Sequence, residues 1–175
     1  MEKPINNNII LIGMAGTGKS TIGILLAKSL GTSLLDTDLL IQEKEKDFLQ
    51  NIIDKKGMDA FLKLEEKYIL SSNVANHVIA TGGSSVYSDE AMKHLQKLGK
   101  IIFLDTPFNV IEKRIKNITT RGLIKKNSQT LYDLFEERRL LYLKYAEVII
   151  ECKNKAHEAV IKELLFKIQC VRKNI

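Results

Sequence analysis

Tryptophan is missing from the chain's 175 residues, and there are only two prolines and two cysteines. Cys152 and Cys170 stand alone, with no CxxC pair and no partnering histidine pattern, so a zinc finger, a redox dithiol and a secreted disulfide framework are all unsupported. A reduced, cytoplasmic setting is the expectation. No apolar run approaches the ~20 residues of a membrane span, and the stretch from Met1 to Asn8 lacks the apolar segment of a signal peptide, so neither export nor a membrane partner is expected. With Pro4 and Pro107 the only prolines, and no repeat, low-complexity tract or Gly/Ser linker, nothing divides the chain, and residues 1–175 read as one domain. Cationic charge exceeds anionic by a net +6, yet the lysines are scattered and no aromatic-rich basic segment occurs. Nucleic acid is therefore not an expected partner, whereas an anionic small molecule is well served.

What the chain does have is alternation. Short apolar runs at Asn8 to Ile12, Ser33 to Asp36, His77 to Ala80, Lys100 to Leu104 and Glu147 to Glu151 read as buried strands. Segments of helical spacing lie between and after them, at Lys19 to Leu30, Leu39 to Glu45, Asp59 to Asn73, Asp89 to Lys97, Phe108 to Lys116, Thr130 to Tyr145 and Ala156 to Arg172. Strands alternating with helices predict an α/β fold, a parallel sheet covered on both faces. The polar, basic stretch 117–129 sits between two helices and suits a lid or a plain connector; its one arginine, Arg121, makes the lid worth considering.

The strongest motif is Gly13-Met14-Ala15-Gly16-Thr17-Gly18-Lys19-Ser20, a complete G-x-x-x-x-G-K-[ST] placed directly after an apolar strand and before a helix. Glycines let successive backbone N–H groups turn inward toward phosphate oxygens, and the helix adds its positive end to the same anion. Lys19 reaches the β- and γ-phosphates, Ser20 offers a hydroxyl to Mg²⁺, and Thr21 caps or packs at the helix start. ATP with Mg²⁺ is the expected ligand. A phosphate loop leaves the acceptor open.

Leu34-Leu35-Asp36-Thr37-Asp38 closes the second strand, and strand alternation is expected to turn both carboxylates toward the edge where ligands of open α/β sheets bind. Phosphoryl transfer needs such groups to hold Mg²⁺ and to take the proton of an incoming hydroxyl, although Asp38 could equally cap the helix that follows. Gly82-Gly83 after the third strand would allow close backbone approach to a ligand, or make a simple turn. On a late helix, Arg138 and Arg139 could grip a carboxylate or lie on a solvated face.

The phosphate loop, the Asp-x-Asp, the paired glycines, the lid arginine and an Arg-x-x-x-Tyr helix occur in the order of the shikimate kinases, and the chain resembles that family from Ile9 to about Asn154. The resemblance implies a three-layer αβα P-loop fold with a five-stranded parallel sheet and a closing lid near 117–129. It implies ATP-dependent phosphorylation of a small anionic hydroxy acid, shikimate to shikimate 3-phosphate in aromatic amino acid biosynthesis, by a monomer. Carried over by position, Lys19 stabilises the moving phosphoryl group, Ser20 ligates Mg²⁺ and Asp36 holds it through water. Asp38 orients and deprotonates the acceptor hydroxyl, Gly82 and Gly83 line the substrate, and Arg138 pairs with its carboxylate. Arg121 closes over the phosphates, and Arg114 stacks on adenine.

Three positions depart from the family pattern. Its Phe-Arg-x-x-Glu reads Phe61-Leu62-Lys63-Leu64-Glu65, which puts Leu62 where a substrate-binding arginine is expected. Each lost charge-assisted hydrogen bond is worth roughly 1.5–3 kcal/mol, which predicts shikimate binding about ten- to a hundredfold weaker. Lys63 is about 100° further round the helix and is not expected to substitute. Glu65 is left without the partner it would brace. Ser84 replaces a third glycine, and the lid's Arg-Pro-Leu is Arg121-Gly122-Leu123, a change of about 1 kcal/mol in lid preorganisation. Two alternatives therefore stand beside the first reading: a same-fold kinase for another acceptor, and a non-catalytic ATP-binding homologue. Retention of Lys19, Ser20, Asp36, Asp38 and Arg121 together favours a working kinase.

Overall fold

A computed structural model describes residues 7–116 and 129–172. Strand β1 (Asn8–Ile12) is buried along its whole length. Ile10 and Ile12 face one apolar cluster while Ile9 and Leu11 face another, as expected for a strand with helices on both sides. Beside it lie β2 (Ser33–Asp36), β3 (His77–Ala80), β4 (Gly99–Asp105) and β5 (Val148–Glu151), in the order β2-β3-β1-β4-β5. Every pairing is parallel. The α/β architecture and the five strands expected from the sequence are what the structure has.

Helices α1 (Lys19–Leu30) and α8 (His157–Arg172) cover the Ile9/Leu11 face through Ile22, Leu26, Val160 and Leu164. On the opposite face α5 (Asp89–Leu98), α6 (Phe108–Lys116) and α7 (Leu131–Tyr145) contribute Met92, Leu95, Ile111 and Leu134. A satellite cluster joins α2 (Thr37–Glu45), α3 (Leu49–Lys56) and α4 (Met58–Ser71) around Ile41, Ile52 and Phe61. Helix α3 is not anticipated by the sequence reading. It has only eight residues and no side-chain cap, and two apolar side chains, Leu49 and Ile52, anchor it.

Helix α2 also begins two residues earlier than expected, with a consequence for the site. The Asp36 carboxylate accepts hydrogen bonds from the amides of Asp38 (3.0 Å) and Leu39 (3.3 Å), so Asp36 is the N-cap and Asp38 belongs to the first helical turn. Strand alternation is therefore not what presents Asp38, and Asp38 is not the cap.

Asn8 ties the entry side of the sheet together. Its Nδ2 donates to the carbonyls of Val74 (2.6 Å) and Leu98 (2.9 Å), and its Oδ1 accepts from the His77 amide (2.8 Å). Asn8→Ala leaves three backbone groups in or near the core without a partner, an expected cost of about 2–4 kcal/mol. A melting curve should move down by roughly 5–12 °C; a shift below about 1 °C would mean these groups find other partners.

Candidate active site

Register brings the functional segments to one level. Asp36 and Leu11 are both aligned with Ala80, so the segments leaving β1, β2 and β3 emerge together at the C-terminal edge of the sheet. The first becomes the phosphate loop, in which Gly18 takes the left-handed conformation (φ 95°, ψ 20°) immediately before α1. A side chain there would be strained, and the turn aims the start of α1 into the loop.

Within the loop, Lys19 is buried, and its Nζ donates to the carbonyls of Gly13 (2.7 Å) and Met14 (3.0 Å). The ammonium is thus held at the loop's mouth, where phosphates would take over its hydrogen bonds. Ser20 is half-buried and Thr21 exposed at the start of α1. The Thr17 side chain turns inward, its hydroxyl buried with no hydrogen-bond partner among the described residues, so Thr17 can meet a phosphate only through its backbone. Arg114, on α6, donates to the Gly16 carbonyl (3.0 Å) and remains exposed beside the phosphate loop. Arg121 lies outside the described residues, as does the stretch 117–128 of the expected lid.

The acceptor side is built against the same loop. The Gly82 amide donates to Thr37 Oγ1 (2.9 Å), locking the segment after β3 onto the start of α2. Gly82 has no room for a side chain, since a Cβ would collide with the Glu65 carboxyl and lie 2.7 Å from Asp38 Oδ1. At Gly83 a Cβ would lie 3.1 Å from the Ala15 amide nitrogen and 3.4 Å from Arg138 Nη1. The phosphate loop and the arginine expected to hold a carboxylate therefore meet beside one glycine, where a side chain would be crowded. Arg138 is buried on α7, with Nε donating to Tyr87 Oη (3.2 Å) and the guanidinium 5.0 Å from the Tyr87 ring centroid. One residue on, Arg139 forms a forked pair with Asp105 (2.8 and 3.3 Å) and takes no part in the pocket. Tyr142, one turn further, donates to the Gly83 carbonyl (2.6 Å), and burial pushes its phenol above the ordinary range, so it remains a donor.

Thr37 and Tyr87 escape the sequence reading. Thr37 reads as a spacer between two aspartates, and Tyr87 lies on a single 3-10 turn (Ser85–Tyr87) whose neighbourhood with α7 no local pattern announces.

Glu65 is not partnerless, as the missing arginine would predict. Its Oε2 accepts from the Ser84 hydroxyl (2.6 Å), and Oε1 is buried with no hydrogen-bond partner among the described residues. Burial, and after it the nearby Asp38 carboxylate, push Glu65 up to about 7, against the lowering influence of Ser84, Arg138 and Lys19. A carboxyl raised in the folded state stays protonated there from about pH 4.5 to 7, while the unfolded chain has released that proton. Its contribution is fully present below pH 4.5 and is lost as pH rises through 7, on the order of 3 kcal/mol in all. Glu65→Gln, neutral throughout, should therefore gain in melting temperature relative to the parent between pH 4.5 and 8. A difference that is flat with pH would show that the carboxyl does not titrate in this window.

Comparison with known proteins decides among the uses of such a site. The family model for shikimate kinase matches residues 15–169. The chain belongs to the shikimate kinase family. The Persephonella marina shikimate kinase is 35% identical over 166 residues, 93% of this chain and 99% of that protein. The Aquifex aeolicus shikimate kinase is 37% identical over 162 residues, 92% of this chain and 95% of its own length. Among solved structures, Acinetobacter baumannii shikimate kinase in complex with shikimate has a TM-score of 0.85 at 29% identity, covering 96% of this chain and 94% of that one. The Aquifex aeolicus enzyme has a TM-score of 0.79 at 36% identity, with 93% and 96% covered.

As a shikimate kinase family member the protein is an ATP-dependent phosphotransferase with the P-loop αβα fold. Its donor set also fits Mg²⁺. Among the described residues no group of three or more His, Cys, Asp or Glu side chains could hold a metal alone. Magnesium bound to nucleotide needs only one or two protein oxygens, the rest being phosphate and water. Ser20 at the start of α1 and the Asp36 oxygen not used in capping are oxygens of the kind such an ion takes, the latter through water. Among the described residues, no helix is long and apolar enough to cross a membrane.

Proposed function

We propose that the protein transfers the γ-phosphoryl group of ATP to a hydroxyl of shikimate, releasing ADP and shikimate 3-phosphate, with the sequence-assigned residues in their roles. The observation that carries this reading is the meeting of the phosphate loop and Arg138 at Gly83, where the Ala15 amide nitrogen and Arg138 Nη1 would lie 3.1 and 3.4 Å from the same Cβ position. An acceptor whose carboxylate pairs with Arg138 would then have its hydroxyls next to the phosphates and to Asp38. A bound Mg²⁺, held by Ser20 and through water by Asp36, would neutralise phosphate charge.

The chain's own residues do the rest. Backbone amides from Gly13 to Ser20 bind the phosphates of ATP, and Lys19 moves from its carbonyl partners to the γ-phosphoryl oxygens. Asp38 accepts the proton of the acceptor hydroxyl as its oxygen bonds to phosphorus and the bond to the β-γ bridging oxygen breaks. Arg114 packs against the base, and Arg121 adds positive charge to the phosphates. Gly82 and Gly83 allow the acceptor close to the backbone. Shikimate bound to the Acinetobacter baumannii enzyme supports this choice of acceptor. One working domain, residues 1–175, acts as a monomer in the cytoplasm.

Leu62 favours one alternative, a different hydroxylated acid as acceptor. It lines a hollow with Glu65, Ser84 and Tyr87 on the side where a second cation is expected, and exposed Lys63 borders the same hollow. A coupled ADP-release assay with ATP, Mg²⁺ and graded shikimate separates the two. Saturable stimulation over a no-acceptor control supports shikimate, with a raised KM measuring the effect of Leu62. Absent stimulation, with ATP still bound, rejects shikimate as the acceptor.

A further inference from the structure

Two departures from the family pattern, 22 positions apart in sequence, meet at one carboxyl group. Glu65 is 1% exposed on α4, and the donor that reaches its Oε2 is Ser84 Oγ at 2.6 Å, itself buried. The other oxygen is wedged against Gly82, next to Asp38 Oδ1, which places the two carboxylates within about 5 Å of each other. Groups facing Glu65 come from four segments: Asp38 on α2, Ser84 after β3, Arg138 on α7 and Lys19 on α1. Of these Asp38 opposes a negative charge at Glu65 and the other three favour it.

Leu62 is one helical turn before Glu65 and shares its face of α4, bordering the hollow that Glu65 and Ser84 also line. An apolar side chain there has no hydrogen bond to give. The hydroxyl at position 84 supplies one from across the pocket. We propose that Ser84 is a positioning residue of the acceptor pocket, its hydroxyl replacing the donor that Leu62 cannot provide, so that Leu62 and Ser84 act as a matched pair holding Glu65 beside Asp38. This rests on the acceptor pocket assigned under the proposed function and names what keeps the carboxyl beside its aspartate in place. Without the donor, the buried carboxyl either swings toward Asp38 or draws in water, and both displace the group that orients the acceptor hydroxyl. ATP binding, formed by the loop from Gly13 to Ser20, is untouched.

The test is a double-mutant cycle of four proteins: the parent, Ser84→Ala, Leu62→Arg and the double variant. In the parent background Ser84→Ala should lower kcat/KM for shikimate about tenfold, with the KM for ATP within about twofold. In the Leu62→Arg background, which puts a cationic donor one helical turn from Glu65 on the hollow they both line, the same change should cost less than about threefold. Ser84→Thr, which keeps the hydroxyl, should stay within about threefold of the parent. Equal losses in both backgrounds, or no loss in the parent, overturn the pairing. Melting temperatures of the four proteins read the same cycle without substrate: the drop caused by Ser84→Ala should vanish when Arg occupies position 62, and equal drops overturn the proposal. Should shikimate stimulate none of the four while the melting cycle shows coupling, the acceptor assignment fails and the Ser84–Glu65 pairing stands.

Discussion

Lys19→Met reduces phosphoryl transfer by at least about 10²–10³-fold, the loss that follows removal of one preorganised charge from a developing anion. Methionine keeps the stem and the burial of Lys19 and leaves the glycines of the loop unchanged; what is lost is the ammonium and the hydrogen bonds it gives to the Gly13 and Met14 carbonyls. That ammonium is held 2.7 and 3.0 Å from two carbonyl oxygens of the loop itself, a geometry that keeps it desolvated and ready for the γ-phosphoryl oxygens. The ADP-release assay reads the rate, and equilibrium titration with ATP separates binding from chemistry. A variant keeping most of the parent's turnover would remove Lys19 from the mechanism.

Asp38→Asn should lower kcat by about 10²–10⁴-fold, the usual contribution of a positioned base, while the KM for ATP changes by less than about threefold. Asparagine retains the shape and much of the hydrogen bonding of aspartate in the first turn of α2, so the helix remains. What goes is the capacity to take a proton from the acceptor hydroxyl. The neighbourhood makes the split informative: Asp38 lies against Gly82 and Glu65, whereas it is the next residue, Gly83, that lies against the phosphate loop. Equal losses in kcat and in ATP affinity would mean that Asp38 supports the loop and does not serve the acceptor.

The phosphate loop is legible in the sequence because its physics is contiguous. Eight consecutive residues carry the turn, the amides, the cation and the hydroxyl, and the apolar run before them marks the strand. The same locality makes α1 readable to the residue, from Lys19 to the left-handed Gly31 that ends it. Where two local rules compete, the reading slips. Alternation and capping both apply at Asp36, and the cap prevails because it satisfies two helix amides that would otherwise lack partners. Arg138 and Arg139 are equally good candidates by composition. Only the packing of α7 turns one toward Tyr87 and Gly83 and hands the other to Asp105. The Ser84–Glu65 bond is least legible, since it joins two segments through space and each end, taken alone, looks like a defect.

Asp36 joins two duties in one side chain. One of its oxygens starts α2, and the same carboxylate is the one proposed to hold Mg²⁺ through water. Selection at this position therefore comes from folding as well as from turnover. A descendant that abandoned catalysis would still be held to an aspartate, asparagine or serine here, merely to begin the helix. An acid at position 36 is for that reason a poor witness to activity across relatives, whereas Asp38, which starts no helix, is a better one.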